Sequence, residues 1–160
     1  MQSSGASGSG ALIPPGSVLA IGESVLVRSE TLDEKALLQV TPRAVKQGSL
    51  DDFEGFRLDA TAKASTPYYV TVDYRHQGGS SLRYPFLNVK LSAADTAGDE
   101  AQKLIISGLS ACPAGEKAAV LKKGDSQTEC SVFLVPKGGS LGAVLYEPDF
   151  RTKPVAWRVR

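Results

Sequence analysis

Residues 66–79 read TPYYVTVDYRHQGG, and this stretch decides the fold. Tyr68, Val70, Val72 and Tyr74 fall on one parity, while Tyr69, Thr71, Asp73 and Arg75 fall on the other. That is the period of a β-strand, whose successive side chains point to opposite faces, and it matches no helical stripe. QGGSS follows at 77–81, and its glycines tolerate positive φ, so the strand ends in a turn.

Working outward, the rest of the chain repeats the same grammar of short apolar stretches separated by turn signals. FLNVKLSAA (86–94) predicts a strand with Leu87, Val89, Leu91 and Ala93 inward and Asn88, Lys90 and Ser92 outward. CSVFLVP (130–136) is apolar on both parities, which suits a central strand covered on both sides. SLGAVLYE and VAWRV complete the set, and in the last strand Val155, Trp157 and Val159 share the core-facing parity, leaving Arg158 outside. Toward the N-terminus, SVLAIGESVLVR reads as one strand broken at Gly22, and Pro42 marks an edge or a bulge in ALLQVTPRAV. GSLDDFEGF (48–56) predicts a helical turn capped by Ser49, and RLDATAKA (57–64) alternates weakly through Leu58, Ala60 and Ala62. The sum is an all-β, antiparallel sandwich of seven to nine strands with at most two helical turns.

At 160 residues the chain suits one domain with a sizeable core. A net charge of +1 excludes the strong basic excess of a nucleic-acid binder. No apolar run is long enough to cross a bilayer as a helix. Residues 1–16 form a separate Ser/Gly-rich segment, which opens MQSSGASGSGA and predicts a flexible tether ahead of a domain at 17–160. No signal-peptide apolar region is visible in it. One reading takes it as a floppy terminus or cloning remnant; the other takes it as the linker that follows a bacterial lipid-anchored cysteine.

Cys112 and Cys130 are the only cysteines. Their spacing is wrong for a redox C-x-x-C, and one histidine, His76, is too few to complete a structural zinc site. Two free buried thiols are the remaining alternative to a disulfide. The disulfide is favoured because the turn-rich segment between the cysteines can bring them together, closing a loop worth roughly 3 kcal/mol on the chain-entropy model. A disulfide implies an oxidising, extracytoplasmic setting.

TPYYVTVDYRHQGG, the opening GSVLAIGESVLVR, the late CSVFLVPKG and the terminal VAWRV together resemble, in order over 17–159, a family of small secreted or lipid-anchored bacterial domains, chiefly actinobacterial, with a telokin-like immunoglobulin fold. The resemblance implies an extracellular immunoglobulin-like sandwich and carries over no catalytic residue. The lipid-attachment cysteine expected before the tether is absent from this chain.

Candidate chemistry is thin. On a strand, His76 and Asp73 face opposite ways, so a Ser-His-Asp site is left only to distant assembly, and Ser80 and Ser81 lack a nucleophile elbow. Asp51, Asp52 and Glu54, and Asp95, Asp99 and Glu100, offer three carboxylates each, short of a calcium shell, and read as solvated loops. Arg151, Lys153, Arg158 and Arg160 read as a solvated edge guarding against strand pairing. Gly8 and Gly10 precede no strand–helix unit, so no nucleotide fingerprint and no cofactor is called for. Tyr69, Tyr84 and Phe86 form the candidate interaction surface, against the alternative that they pack under neighbouring loops. The expected function is that of an exported, non-catalytic binding module of the cell envelope, lipid-anchored in its native form, whose partner is a protein or another envelope component. The alternative is a small-ligand carrier or enzyme accessory using a cleft of the sandwich.

Overall fold

The computed structural model describes residues 18–30, 34–83, 85–113, 115, 119–148 and 153–159. The tether predicted at 1–16 lies outside the described residues. Among those described are eleven strands: β1 (Val18–Ala20), β2 (Val25–Glu30), β3 (Lys35–Gln47), β4 (Ser65–Gly79), β5 (Leu82–Arg83), β6 (Leu91–Asp95), β7 (Gln102–Leu104), β8 (Val120–Leu121), β9 (Ser126–Pro136), β10 (Leu141–Tyr146) and β11 (Val155–Arg158). The count exceeds the seven to nine expected because β5, β7 and β8 are too short for a periodic signal.

The chain is an all-β sandwich. One sheet has the order β2-β3-β4-β9-β7 and the other β1-β11-β10-β6; β5 and β8 form a small third sheet. Pairing is antiparallel except that β1 runs parallel to β11. The stretch that opened the sequence reading is β4, the middle strand of the five-stranded sheet. Its Tyr68, Val70, Val72 and Tyr74 face the core between the sheets, where they meet Val144, Tyr146, Val155 and Trp157 of the opposite sheet. Tyr74 and Tyr146 pack across the interface with ring centroids 6.0 Å apart.

Three local readings change. Gly22, at φ +99°, does break the first apolar run, but the break is a turn that sends β1 and β2 into different sheets rather than a bend within one strand. RLDATAKA forms the one-turn helix α1 (Ala60–Lys63), because Asp59 accepts a hydrogen bond from the Ala62 amide at 2.8 Å and alanine favours helix over strand. Leu87–Lys90 is a 3-10 turn, so β6 begins only at Leu91. Among the described residues, three helical turns therefore stand where at most two were expected. Ser49 caps the turn Leu50–Phe53 in a reciprocal box with Asp52, and Pro42 sits at a register shift between β3 and β4, both as read.

A second, smaller core lies on the outer face of the five-stranded sheet. Tyr69, Val132 and Leu134 are covered there by Phe53, Ala62, Leu109 and Cys112 from turns and loops. This is why the second half of β9 is apolar on its outer face too, through Val132 and Leu134. Cys112 and Cys130 are joined by a disulfide with a Cα–Cα distance of 5.5 Å, tying the loop to β9.

Trp157 is fully buried, and its indole N–H donates to the Glu23 carbonyl at 2.9 Å. Val155 is buried beside it, while Arg158 is exposed. Trp157→Ala should therefore cost roughly 3–5 kcal/mol through lost burial and a residual cavity. Arg158→Ala should cost about 0.5 kcal/mol or less. Denaturant unfolding checks both, and a severe Arg158 effect beside a mild Trp157 effect would reverse the strand's faces.

Candidate functional site

Alternation along β9 places Gln127, Glu129, Ser131 and Phe133 on its inner row, since Gln127 pairs with Tyr74 and Phe133 with Tyr68. Gln127 and Glu129 are buried all the same. A buried carboxylate is tolerable only when donors replace water. Glu129 has them: the Leu87 and Asn88 amides donate to its two oxygens at 2.9 Å each, and the Gln127 side-chain amide donates at 2.7 Å. The same Gln127 nitrogen reaches the Pro85 carbonyl at 3.1 Å.

The turn Leu87–Lys90 is held at its other end by a cation. Lys103 of β7 donates to the Asn88 carbonyl and, at 3.0 Å, to the Leu91 carbonyl, with its ammonium 5.8 Å from the centre of the Phe133 ring. A carboxylate therefore meets the free amides of the turn and an ammonium meets carbonyls at its C-terminal side, the polarity that backbone dipoles favour. Burial pulls the Lys103 ammonium below the ordinary lysine value, and the Glu129 charge pulls the other way. Asn88 completes the cluster from inside: its carbonyl oxygen accepts from the Tyr74 hydroxyl, and its amide donates to Ser131 Oγ at 2.7 Å. Burial, then the charges of Tyr146 and Glu129, raise Tyr74 far above the usual phenol range. Tyr146 is raised by burial first and by Glu129 second.

The clamped turn presents apolar side chains to solvent. Phe86 is 64% exposed, Val89 74%, and Ile105, just beyond β7, 84%. Beside them a cleft of about 440 Å³ opens between the sheet edges, with Val89, Leu91, Ser92, Glu100, Lys103 and Phe133 among its walls. On the outer face of the five-stranded sheet a polar depression of about 520 Å³ includes Thr41, Arg43, Asp73, Arg75 and Thr128. There Asp73 already accepts from Arg43 at 3.0 Å and from Thr128 at 2.7 Å, so its charge is engaged within the sheet.

The three aromatic residues singled out from sequence do not form one surface. Tyr69 is buried in the second core, its hydroxyl donating to Asp52 at 2.6 Å. Its ring lies so close to Gly48 that a Cβ there would sit 2.4 Å from it. Burial, then the Asp52 bond, raise its phenol, and that bond holds the Asp52 carboxyl below its usual range. Tyr84 lies outside the described residues, and Phe86 is exposed. The inward and outward assignments of Asn88 and Val89 reverse, because residues in a 3-10 turn do not alternate. Polar Gln127 and Glu129, on the same parity as Phe133 and just ahead of the apolar run 132–135, were the signal that could have located the clamp. Elsewhere, His76 is fully buried with Nε2 2.6 Å from the Ser80 carbonyl. Asp95 accepts from the Ala97 and Asp99 amides, and no cluster of three or more metal-ligating side chains occurs among the described residues. Comparison with protein-family models, with curated proteins and with solved structures finds no match to the chain.

Glu129→Ala leaves three donors without their acceptor and should cost at least about 3 kcal/mol, and Glu129→Gln, which keeps an oxygen acceptor, less, as read by denaturant unfolding. The tyrosines give a pH test. Tyr69, Tyr74 and Tyr146 hold their protons more tightly when folded than at the reference value of 10.0. Their contribution to stability is therefore intact below pH 10 and is lost as the pH rises past it. In an ultraviolet titration, these three of the five tyrosines should ionise only as the domain unfolds. Reversible ionisation of all five in the folded state would contradict the burial described.

Proposed function

We propose that this chain is an exported, non-catalytic binding domain of a bacterial cell envelope, lipid-anchored in its native form, and that its contact surface centres on the turn bearing Phe86 and Val89. The observation that carries the reading is the clamp: two exposed apolar side chains stand on a turn fixed at both ends by buried or half-buried charges. A rigid apolar knob loses little side-chain and loop entropy on association, which is what a contact residue needs.

The immunoglobulin-like assignment draws support from strand order. Taken in chain order, β3-β4-β9-β7 and β6-β10-β11 follow the A-B-E-D and C-F-G arrangement of that fold, with β1 and β2 added before it. Export draws support from the disulfide, and envelope attachment from the resemblance of the sequence to lipid-anchored domains. A second reading, a small-ligand carrier, is favoured by the cleft beside Lys103, whose walls join apolar Val89, Leu91 and Phe133 to the polar side chains of Ser92 and Gln102 and include both Lys103 and Glu100.

The test is comparative capture from envelope extract by the immobilised domain. Phe86→Ser/Val89→Ser should abolish capture of a component that the wild type retains, with the melting temperature changed by about 2 °C or less. Arg43→Ala/Arg75→Ala, on the outer sheet face, should keep it. Loss in the arginine variant with retention in the turn variant would move the contact surface to the outer face.

A further inference from the structure

We propose that the Cys112–Cys130 disulfide is a reducible latch on this edge: a dithiol releases the 105–112 segment and β7, draws Lys103 off the turn, and leaves Phe86 and Val89 unfixed. The inference rests on the reading of that turn as the contact surface.

β7 is three residues long and pairs with β9 only through Gln102, Lys103 and Leu104. The described residues from Ile105 to Cys112 form no strand, so the disulfide is the covalent tie that returns this segment to β9. A cavity of about 90 Å³ joins the latch to the clamp, with Lys103, Leu104, Ile105, Cys112, Cys130 and Ser131 among its walls. Lys103 and Ser131 are the residues that hold Asn88 by its backbone carbonyl and its side-chain amide. Both cysteines belong with the second core and neither with the main one, so the latch can open without opening the space between the sheets.

Cys130 is half-buried and Cys112 buried, so Cys130 Sγ is the atom open to attack. A thiolate of the dithiol bonds to it and expels the Cys112 thiolate. The second thiol of the reagent then closes its own disulfide and expels the Cys130 thiolate. Two electrons pass to the protein, two thiols result after protonation, and an oxidant reverses the step.

Amide hydrogen exchange of the full chain, oxidised and after treatment with a dithiol, tests this. Reduction should lower protection at the Leu87 and Asn88 amides at least ~10-fold, through a local opening that low denaturant does not promote, while the β4–β9 ladder still exchanges only with global unfolding. Cys112→Ser/Cys130→Ser should reproduce the pattern without reductant. Unchanged protection at Leu87 and Asn88 overturns the proposal, and so does exchange there that follows the ladder in its denaturant dependence, which would make the disulfide only a staple for the whole fold. The readout requires no partner, so its failure is distinct from failure of the capture experiment.

Discussion

The Glu129 carboxylate, taken out of water on the inner row of β9, is the constraint around which one whole edge of the sandwich is arranged. Leaving such a group without donors would cost several kcal/mol, so the chain must bring donors to it. It does so by forming the turn Leu87–Lys90 before β6 begins, which presents two backbone amides to the carboxylate. At the turn's far end the Asn88 carbonyl, which also accepts from the Leu91 amide, and the Leu91 carbonyl are met by Lys103. Asn88, fixed between these ends, gives the Tyr74 hydroxyl an acceptor inside an otherwise apolar core. The outward cast of Phe86 and Val89 follows from the same turn.

Around that edge, the five-stranded sheet must satisfy two cores at once. Its inner face packs on the opposite sheet through Trp157, Tyr146 and Val144, and half of its outer face is roofed by turns, α1 and the disulfide-bound loop. The sheets are joined at both margins by segments that change sheet. Gly22 carries the chain from β1 to β2, and the Ala94–Glu100 bridge leads from β6 into β7. The short β7 therefore serves as a seam, and its Lys103 is placed where the seam meets the turn.

How much of this was legible in the sequence depended on whether a residue obeyed a single period. β4 and β11 did, so Tyr74 and Trp157 were placed on the correct side from alternation alone, whereas residues 130–136 of β9, apolar on both parities, left the side of Phe133 open. Caps are also local, and Ser49 could be read for that reason. Tyr69 is buried by Phe53 and Leu109, which lie far from it along the chain in segments without periodicity, so parity could say only that it left the main core. Asn88 and Val89 went wrong because an apolar run was assumed to stay extended, when a buried carboxylate 41 residues away from Asn88 recruits its amide. The clamp is non-local chemistry, and only the polar residues on the inner row of β9 hinted at it.

The central claim is that Glu129 and Lys103 grip opposite ends of one turn and so depend on each other. A double-mutant cycle of Glu129→Gln and Lys103→Met, read by denaturant unfolding, measures that dependence directly. The account predicts a coupling of about 1 kcal/mol or more, because loosening either end of the turn lessens what the other grip contributes. Additivity to within about 0.3 kcal/mol would mean that the two charges act independently, and the clamp would not exist.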